Sequence, residues 1–212
     1  AVLMGLIREG TLPFDPAAAA AEIAAWRAAG FPACHHSEDY RNAYHPAYRV
    51  LHKRYAHLLP LLAAIDRALG SKPRMLLAIE GGSASGKSTL AELLTGIYPD
   101  AALFHADDYF LRPEQRTPER FAQPGGNMDR ERLEAEILAP LSRGGDVVYR
   151  PFDCKTMSLS EPRRSRAARL NIVEGSYSLH PALEPYYDLS VFLEISPESQ
   201  RCRVLERNGP EW

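Results

Sequence analysis

Apolar and polar positions alternate in two different ways along this chain, and the changes between them mark its predicted elements. From residue 74 onward, short apolar runs typical of buried strands are separated by longer segments whose apolar residues recur every three or four positions, as in amphipathic helices. The predicted strands are 75–80, 101–106, 146–150, 170–174 and 190–195, and the predicted helices are 87–96, 129–143 and 197–207. This order predicts an α/β fold, with a parallel sheet and helices on both of its faces.

The part of the chain before the first strand is predicted to be helical. An Asp-Pro cap at residues 15–16 begins an Ala-rich helix that ends at a Gly-Phe-Pro sequence. A second helix is expected over residues 45–69, with Pro60 as a site for a kink. We therefore expect a helical N-terminal extension over residues 1–72, packed on an α/β domain over residues 73–212.

A phosphate-binding motif follows the first predicted strand. Residues 81–88 match G-x-x-x-x-G-K-[ST], and a predicted helix comes directly after them. Glycines let the backbone N–H groups point at phosphate oxygens, and the helix N-terminus adds partial positive charge. Lys87 is placed to reach the β- and γ-phosphates, and the Ser88 hydroxyl to ligate Mg²⁺. The alternative is a Gly-rich turn that only caps a helix. The predicted phosphate-binding residues are Gly81, Gly82, Ser83, Ala84, Ser85, Gly86, Lys87, Ser88 and Thr89.

Acidic residues end two of the other predicted strands. Asp107 and Asp108 follow the second strand, and Glu174 ends the fourth. Ligands of open parallel sheets bind at the carboxyl ends of the strands. We predict that Asp107 accepts the proton of an attacking hydroxyl and that Glu174, with Ser88, holds Mg²⁺. Because adjacent carboxylates repel each other, we expect the pKa of one aspartate to be raised. The alternatives are acids that only cap a helix or a turn.

Three further groups are candidates for contacts with a ligand. Asp129 begins a predicted helix, where a carboxylate either stabilises the helix N-terminus or accepts two hydrogen bonds from a vicinal diol. The arginine-rich run 150–169, which includes Arg166, is either a solvated loop or a loop that attracts phosphate charge. Arg201, Arg203 and Arg207 form a basic row in the last helix, with Arg203 and Arg207 on one face. One of the row is expected to contact the phosphates; Arg203 is taken as the candidate, and the choice among the three is left open.

Composition narrows the classes of function. The net charge of −2 gives no electrostatic indication of a nucleic-acid or membrane partner. No apolar run reaches transmembrane length, and the first residues do not resemble a signal peptide. The cysteines are odd in number and widely spaced, which is typical of a reducing compartment and of neither a metal site nor a disulfide framework. We therefore expect a cytoplasmic protein.

Five motifs in order resemble a known family. The P-loop is followed by Asp107-Asp108-Tyr109-Phe110, Asn127-Met128-Asp129, Arg150-Pro151-Phe152-Asp153 and Val173-Glu174-Gly175. Over about residues 74–207, this set is similar to the uridine kinase branch of a group that includes phosphoribulokinase, bacterial pantothenate kinase and nicotinamide riboside kinase. The resemblance implies a P-loop NTPase fold with a five-stranded parallel sheet, and a kinase that uses ATP and Mg²⁺.

The resemblance also implies roles for individual residues. By motif, Lys87 and Ser88 bind phosphate and Mg²⁺, Asp107 is the base, Asp129 holds a ribose diol and Glu174 binds magnesium. The expected substrate-binding residues are Asp108, Tyr109, Asp129, Phe152 and Arg166. The family also carries a lid and further helices beyond its fifth strand, and we expect this chain to lack part of them.

The chain departs from the family where a pyrimidine base would be recognised. Phe152 and Met157 occupy the positions of a tyrosine and a histidine in uridine kinases, and neither side chain can hydrogen-bond strongly to a base edge. The expected acceptor is the 5′-hydroxyl of a nucleoside, with little selectivity among bases. The alternatives are another alcohol, such as pantothenate, a phosphorylated sugar or nicotinamide riboside, and a P-loop regulatory module without an acceptor. A homo-oligomer is left open.

Overall fold

The structure is a computed structural model that describes residues 2–32, 35–46 and 53–209. It divides into two units, Ala1–His52 and Lys53–Trp212. Within the described residues, the α-helices are α1 (Val2–Arg8), α2 (Pro16–Ala28), α3 (Glu38–Tyr44), α4 (Lys53–Ala56), α5 (Leu59–Ser71), α6 (Lys87–Ile97), α7 (Pro118–Phe121), α8 (Arg130–Leu133), α9 (Ala139–Ser142) and α10 (Pro197–Asn208). The strands are β1 (Met75–Gly81), β2 (Ala102–His105), β3 (Val147–Tyr149), β4 (Phe152–Asp153), β5 (Ser158–Leu159), β6 (Arg163–Ser165), β7 (Leu170–Glu174) and β8 (Leu189–Leu193).

The first unit contains α1, α2 and α3. The predicted cap of α2 is confirmed, because the Asp15 carboxylate accepts a hydrogen bond from the N–H of Ala18 at 2.8 Å and Pro16 is the first helical residue. The cap satisfies one of the N–H groups that have no partner inside the helix. Helix α3 was not predicted, although Ser37 caps its first turn.

The predicted helix over residues 45–69 is present only in part. Its positions 47–52 lie outside the described residues, His45 is the C-cap of α3, and α4 and α5 are separated by a turn at 57–58. Pro60 lies in the first turn of α5, where its missing N–H is not needed, so it begins a helix instead of kinking one. Both helices belong to the unit that holds the sheet, whereas we placed the boundary of the α/β domain at residue 73.

The central sheet of the second unit is parallel, with the strand order β2-β7-β1-β8. Residues Met75–Ile79 of β1 are fully or almost fully buried, as a strand covered on both faces requires. Leu77 and Ile79 pack with Ile65 of α5 and Leu94 of α6. Leu76 packs with Ile137 in the helical run after Asp129. The predicted α/β fold with helices on both faces is therefore confirmed.

The sheet has four strands instead of the expected five. The predicted strand 146–150 forms β3, which pairs antiparallel with β6 in a separate two-stranded ribbon. Val147 is 1% exposed and Val148 is 47% exposed. This alternation is typical of a ribbon with one solvated face, not of a strand inside a parallel sheet. Strands β4 and β5 form a second short ribbon.

The predicted helix over 129–143 contains a change of helix type. Its two α-helical ends, α8 and α9, are joined by the π-helical segment Glu134–Leu138. Pro140 follows this segment and has no N–H to donate to the carbonyl of Glu136, four residues earlier. The missing hydrogen bond provides a local reason for the departure from α-helical geometry.

The expectations about membrane-spanning segments and about the cysteines can be compared with the described part of the chain. No helix there is long and apolar enough to cross a membrane. Cys154 and Cys202 are free, exposed thiols, and Cys34 lies outside the described residues.

Candidate phosphate and acceptor site

The P-loop connects β1 to α6 at the carboxyl end of the sheet. Gly81 has a φ of 152°, and a Cβ there would lie 2.4 Å from the carbonyl oxygen of Leu193, so only glycine fits. Gly86, with a φ of 100°, precedes α6, and no side chain caps that helix. The N–H groups of the first turn of α6 therefore remain available to a ligand.

The ammonium group of Lys87 lies inside the loop. Its Nζ donates hydrogen bonds to the carbonyl oxygens of Gly81, at 2.8 Å, and Gly82, at 3.0 Å. The Ser85 hydroxyl is buried in the same loop without a hydrogen-bond partner. Buried polar groups normally have partners. The loop thus offers a cation, free N–H groups and an unpaired hydroxyl, a donor set suited to phosphate oxygens.

One face of α10 packs against the P-loop. Gln200 Nε2 donates to the carbonyl oxygen of Ser83 at 2.9 Å, Arg203 Nη1 to that of Ala84 at 3.2 Å, and Arg207 Nη2 to Ser83 Oγ at 3.4 Å. The predicted shared face of Arg203 and Arg207 is confirmed. Gln200 was missed, although its spacing from both arginines is that of one helix face. These contacts connect α10 directly to the loop.

A wide cavity of about 1100 Å³ lies along the loop. Its lining includes Lys87, Ser88, Asp107, Glu174 and Arg203. The volume is at the upper end for small-molecule sites, so the cavity can take a nucleotide with a second ligand. The structure therefore brings the predicted base, the predicted magnesium ligands and the predicted phosphate contacts to one cavity.

Glu174 connects the P-loop to the end of β2. It is 4% exposed, and its two oxygens accept hydrogen bonds from Ser88 Oγ at 3.3 Å and from the His105 ring at 2.6 Å. The hydrogen bond to Glu174 raises the pKa of His105, while partial burial of the ring opposes the rise. His105 was not predicted as a site residue; the signal was a polar residue interrupting an apolar strand. The predicted pair of Ser88 and Glu174 is in direct contact.

The oxygen atoms of Ser88 and Glu174 fit a magnesium ion bound in part by a nucleotide. Among the described residues, no group of three or more His, Cys, Asp or Glu side chains is arranged to hold a metal ion. Mg²⁺ at phosphate sites, however, is usually held by one or two protein oxygens, substrate phosphates and water. The protein would therefore need to supply only the Ser88 hydroxyl and the Glu174 carboxylate.

The two aspartates after β2 occupy different environments. Asp107 is exposed and lines the cavity, whereas Asp108 is half-buried. The pKa of Asp108 is raised, chiefly by burial; Asp107 adds to the rise, and His105 and Arg163 oppose it. The expected raised pKa is present, but repulsion is not its main cause. Gly175 lets the segment after β7 approach the segment after β2, because a Cβ at residue 175 would lie 2.6 Å from the Cβ of Ala106.

Asp129 is buried at the N-terminus of α8. It is 2% exposed, and its Oδ1 accepts a hydrogen bond from the N–H of Arg132 at 3.2 Å, as a helix cap does. Its Oδ2 lies 3.4 Å from Arg132 Nε and 4.0 Å from Arg112 Nε but has no hydrogen bond. The capping role is therefore present, and binding of a diol stays a prediction for the unpaired oxygen.

The remaining predicted substrate residues lie in three different places. Tyr109 is 1% exposed and donates its hydroxyl to Glu136 at 3.4 Å, an arrangement that favours a packing role. Phe152 is 5% exposed, with the guanidinium of Arg116 over its ring at 5.7 Å. Whether either residue binds substrate stays a prediction.

The structure places Arg166 away from the P-loop cavity, a position that does not support its predicted substrate role. Arg166 precedes β7 and lines a second, smaller cavity with residues 99–102, at the amino end of the strands. Glu174 is at the other end of β7, about 13 Å beyond its first residue. The basic run turns back through β6 before it enters β7, and this turn carries Arg166 away from the P-loop.

The chain has the fold of the P-loop NTPases. This class is defined by a P-loop between a central parallel strand and a helix, with acids at the carboxyl ends of neighbouring strands.

Fifty-two chains of solved structures match this chain. One of them is described as a possible uridine kinase from Bacillus stearothermophilus. It is 22% identical, the match covers 72% of this chain and 96% of that one, and the TM-score is 0.52. No protein-family model matches the chain, and no curated protein matches it. The likeness establishes the shared fold.

Proposed function

We propose that this protein is an ATP-dependent kinase that transfers the γ-phosphate to a primary hydroxyl of a small molecule. The observation that carries the proposal is the meeting of Ser88, Glu174 and Asp107 at one cavity beside Lys87. A nucleotide-dependent switch needs only the residues that bind the phosphates and the metal ion. Asp107, exposed in the cavity and separate from the Ser88–Glu174 contact, is an additional acid with the chemistry of a base.

Different residues of the chain have different roles in the proposed phosphoryl transfer. The P-loop N–H groups, Lys87 and Arg203 bind and orient the phosphates. Ser88 and Glu174 would hold Mg²⁺, and the bound ion would supply positive charge against the charge developing on the transferred group. Asp107 orients the acceptor hydroxyl and takes its proton onto a carboxylate oxygen. Little covalent chemistry is asked of the protein, so positioning and electrostatics account for most of the rate.

The proposed acceptor is a nucleoside-like molecule that carries a diol. The unpaired Oδ2 of Asp129 is an acceptor for a ribose hydroxyl. Met157 lies in the turn between β4 and β5 and is 38% exposed. Because Phe152 and Met157 offer no strong hydrogen bond to a base edge, the site leaves no polar group unpaired by a wrong base. We therefore propose weak discrimination among bases.

The test is an acceptor panel with purified protein, ATP and Mg²⁺. ADP formation and the phosphorylated product are measured with uridine, cytidine, adenosine, nicotinamide riboside, pantothenate and ribulose 5-phosphate. A kinase forms ADP in proportion to phosphorylated acceptor, and the Lys87→Ala variant forms both roughly 10²- to 10³-fold more slowly. ATP hydrolysis at the same rate with and without every alcohol would contradict the proposal and favour a regulatory NTPase. Activity with only pantothenate or ribulose 5-phosphate would replace the nucleoside by another alcohol.

A further inference from the structure

A single guanidinium contacts all three segments assigned to the acceptor side. Arg132, in the first turn of α8, has only 10% of its side chain exposed. Its Nη2 donates to the carbonyl oxygen of Asp108 at 3.2 Å, and its Nη1 donates to the carbonyl oxygen of Arg150. Its Nε lies 3.4 Å from Oδ2 of Asp129. One side chain thus contacts the segment of the proposed base, through Asp108, and the proposed diol-binding acid, Asp129. It also contacts the residues that lead into β4, through Arg150.

Two further residues hold this guanidinium in place. Glu136, one helical turn after Arg132, lies 3.4 Å from its Nη1 and also accepts the N–H of Arg150 at 3.1 Å. The ring of Tyr109 lies 4.4 Å from the guanidinium carbon, a cation–π distance, and its hydroxyl donates to Glu136. A planar fork with five donors can make all these contacts at once, whereas an ammonium group cannot.

The contact between Arg132 and Asp129 is incomplete on both sides. Oδ2 of Asp129 and Nε of Arg132 are buried, and neither has a hydrogen-bond partner. Buried polar atoms normally have hydrogen-bond partners. The pair therefore holds one carboxylate oxygen at a fixed place, within ion-pair distance of the Arg132 guanidinium but without a hydrogen bond.

We propose that Arg132 is a positioning residue for the kinase reaction. It fixes the separation between Asp129 and the Asp107–Asp108 segment, so that an acceptor held at Asp129 presents its hydroxyl to Asp107. This inference rests on the proposed kinase function, because it concerns the acceptor half of the same site. Arg132 makes no contact with the P-loop or α10, whose groups bind the nucleotide, among the hydrogen bonds described for it.

The test compares Arg132→Met, Arg132→Lys and the matched control Arg130→Met. Arg130 lies in the same helical turn but contacts Gln123 and Glu131 instead of the acceptor segments. We expect Arg132→Met to lower kcat roughly 10²-fold, the size of effect that a misplacement of about 1 Å produces, and to raise the KM for the acceptor. The KM for ATP should stay within about two-fold, since uniform binding of the nucleotide is untouched. The kcat of Arg132→Lys should lie between those of the wild type and Arg132→Met. The kcat and KM values of Arg130→Met should match those of the wild type.

The outcomes separate this inference from the function on which it rests. A wild-type protein with no acceptor-dependent turnover would overturn both. An active wild type with unchanged acceptor kcat and KM in Arg132→Met would overturn the role of Arg132 alone, and so would an equal rise in the KM values for ATP and acceptor. Thermal unfolding of each variant checks the fold. If Arg132→Met is unfolded, the kinetics of Arg132→Lys decide the question. The inference then fails unless Arg132→Lys changes kcat and the KM for the acceptor while the KM for ATP stays unchanged.

Discussion

Replacing Glu174 with Gln should raise the Mg²⁺ concentration that gives half-maximal turnover by roughly 10- to 100-fold, the range seen when a group that orders a metal site is lost. Glu174 is 4% exposed, and each of its oxygens has a partner, Ser88 on one side and His105 on the other. Glutamine keeps the length and shape of the side chain. It removes the negative charge and replaces one acceptor oxygen by an NH₂ donor, which cannot ligate a cation.

The size of the effect follows from how few protein oxygens the site contains. If Ser88 and Glu174 are the protein's metal-binding groups, the substitution removes the only full negative charge among them. A loss of 10- to 100-fold corresponds to about 1.4–2.7 kcal/mol of binding free energy. The substitution also removes the charged partner of His105, and because the His105 side chain is 47% exposed, the free energy of unfolding of the Mg²⁺-free protein should fall by under about 1 kcal/mol.

The assay is a titration of turnover with Mg²⁺ at saturating ATP, accompanied by chemical denaturation without the metal. Glu161→Gln is the matched control, because Glu161 is an exposed acid that does not line the cavity. An unchanged midpoint of the Mg²⁺ titration in a folded Glu174→Gln protein would remove Glu174 from the metal site. A lower kcat at saturating Mg²⁺ with the wild-type midpoint would give Glu174 a different role.

Other substitutions test the rest of the site. Lys87→Ala should lower turnover roughly 10²- to 10³-fold without unfolding the protein, because a cation is lost from the transferring phosphate; the exposed Lys155→Ala serves as control, and a wild-type rate would refute the P-loop assignment. Asp107→Asn should lower kcat roughly 10²-fold with the KM for ATP unchanged, and a larger loss in Asp108→Asn would transfer the base to Asp108. Asp108→Asn should itself stabilise the protein at about pH 7, by under about 1 kcal/mol because the group is only half-buried. Because the pKa of Asp108 is raised in the folded protein, the contribution of Asp108 to wild-type stability falls as pH rises above about 4. The gain should therefore disappear at about pH 3 in denaturation curves, and a gain that persists there would contradict the assigned cause.

The elements that carry the P-loop follow from local sequence, which is why their bounds were predicted closely. The apolar run before the motif predicted 75–80 and forms Met75–Gly81, and the helix predicted over 87–96 forms Lys87–Ile97. A buried strand, a glycine turn and an amphipathic helix each have a signature within a dozen residues. The direct contact of Ser88 with Glu174 also follows, because adjacent parallel strands bring their carboxyl ends together.

Pairing between distant segments was predicted less well. Val147-Val148-Tyr149 has the composition of a strand, but composition does not say which strand it joins. Its partner is Arg163–Ser165, a polar segment that has no strand pattern of its own. The same ribbon carries Arg166 to the amino end of the sheet. A basic run shows that charge is present, and only the path of the chain decides which ligand that charge can reach.

Arg132 illustrates why the acceptor side could not be read from the sequence. An Arg–Glu pair four residues apart, such as Arg132 and Glu136, is typical of the solvated face of a helix. Here the segments after β2 and β3 cover that face, and Asp108, which contacts Arg132, lies 24 positions earlier in the chain. Burial changes what the pair can do, because a guanidinium with 10% of its side chain exposed is fixed by its contacts, whereas a solvated one would move freely. A solvated arginine at this position would be replaceable by methionine at little cost to kcat. The kinetics of Arg132→Met therefore test whether the covering segments, and not the local helix pattern, determine the role of this residue.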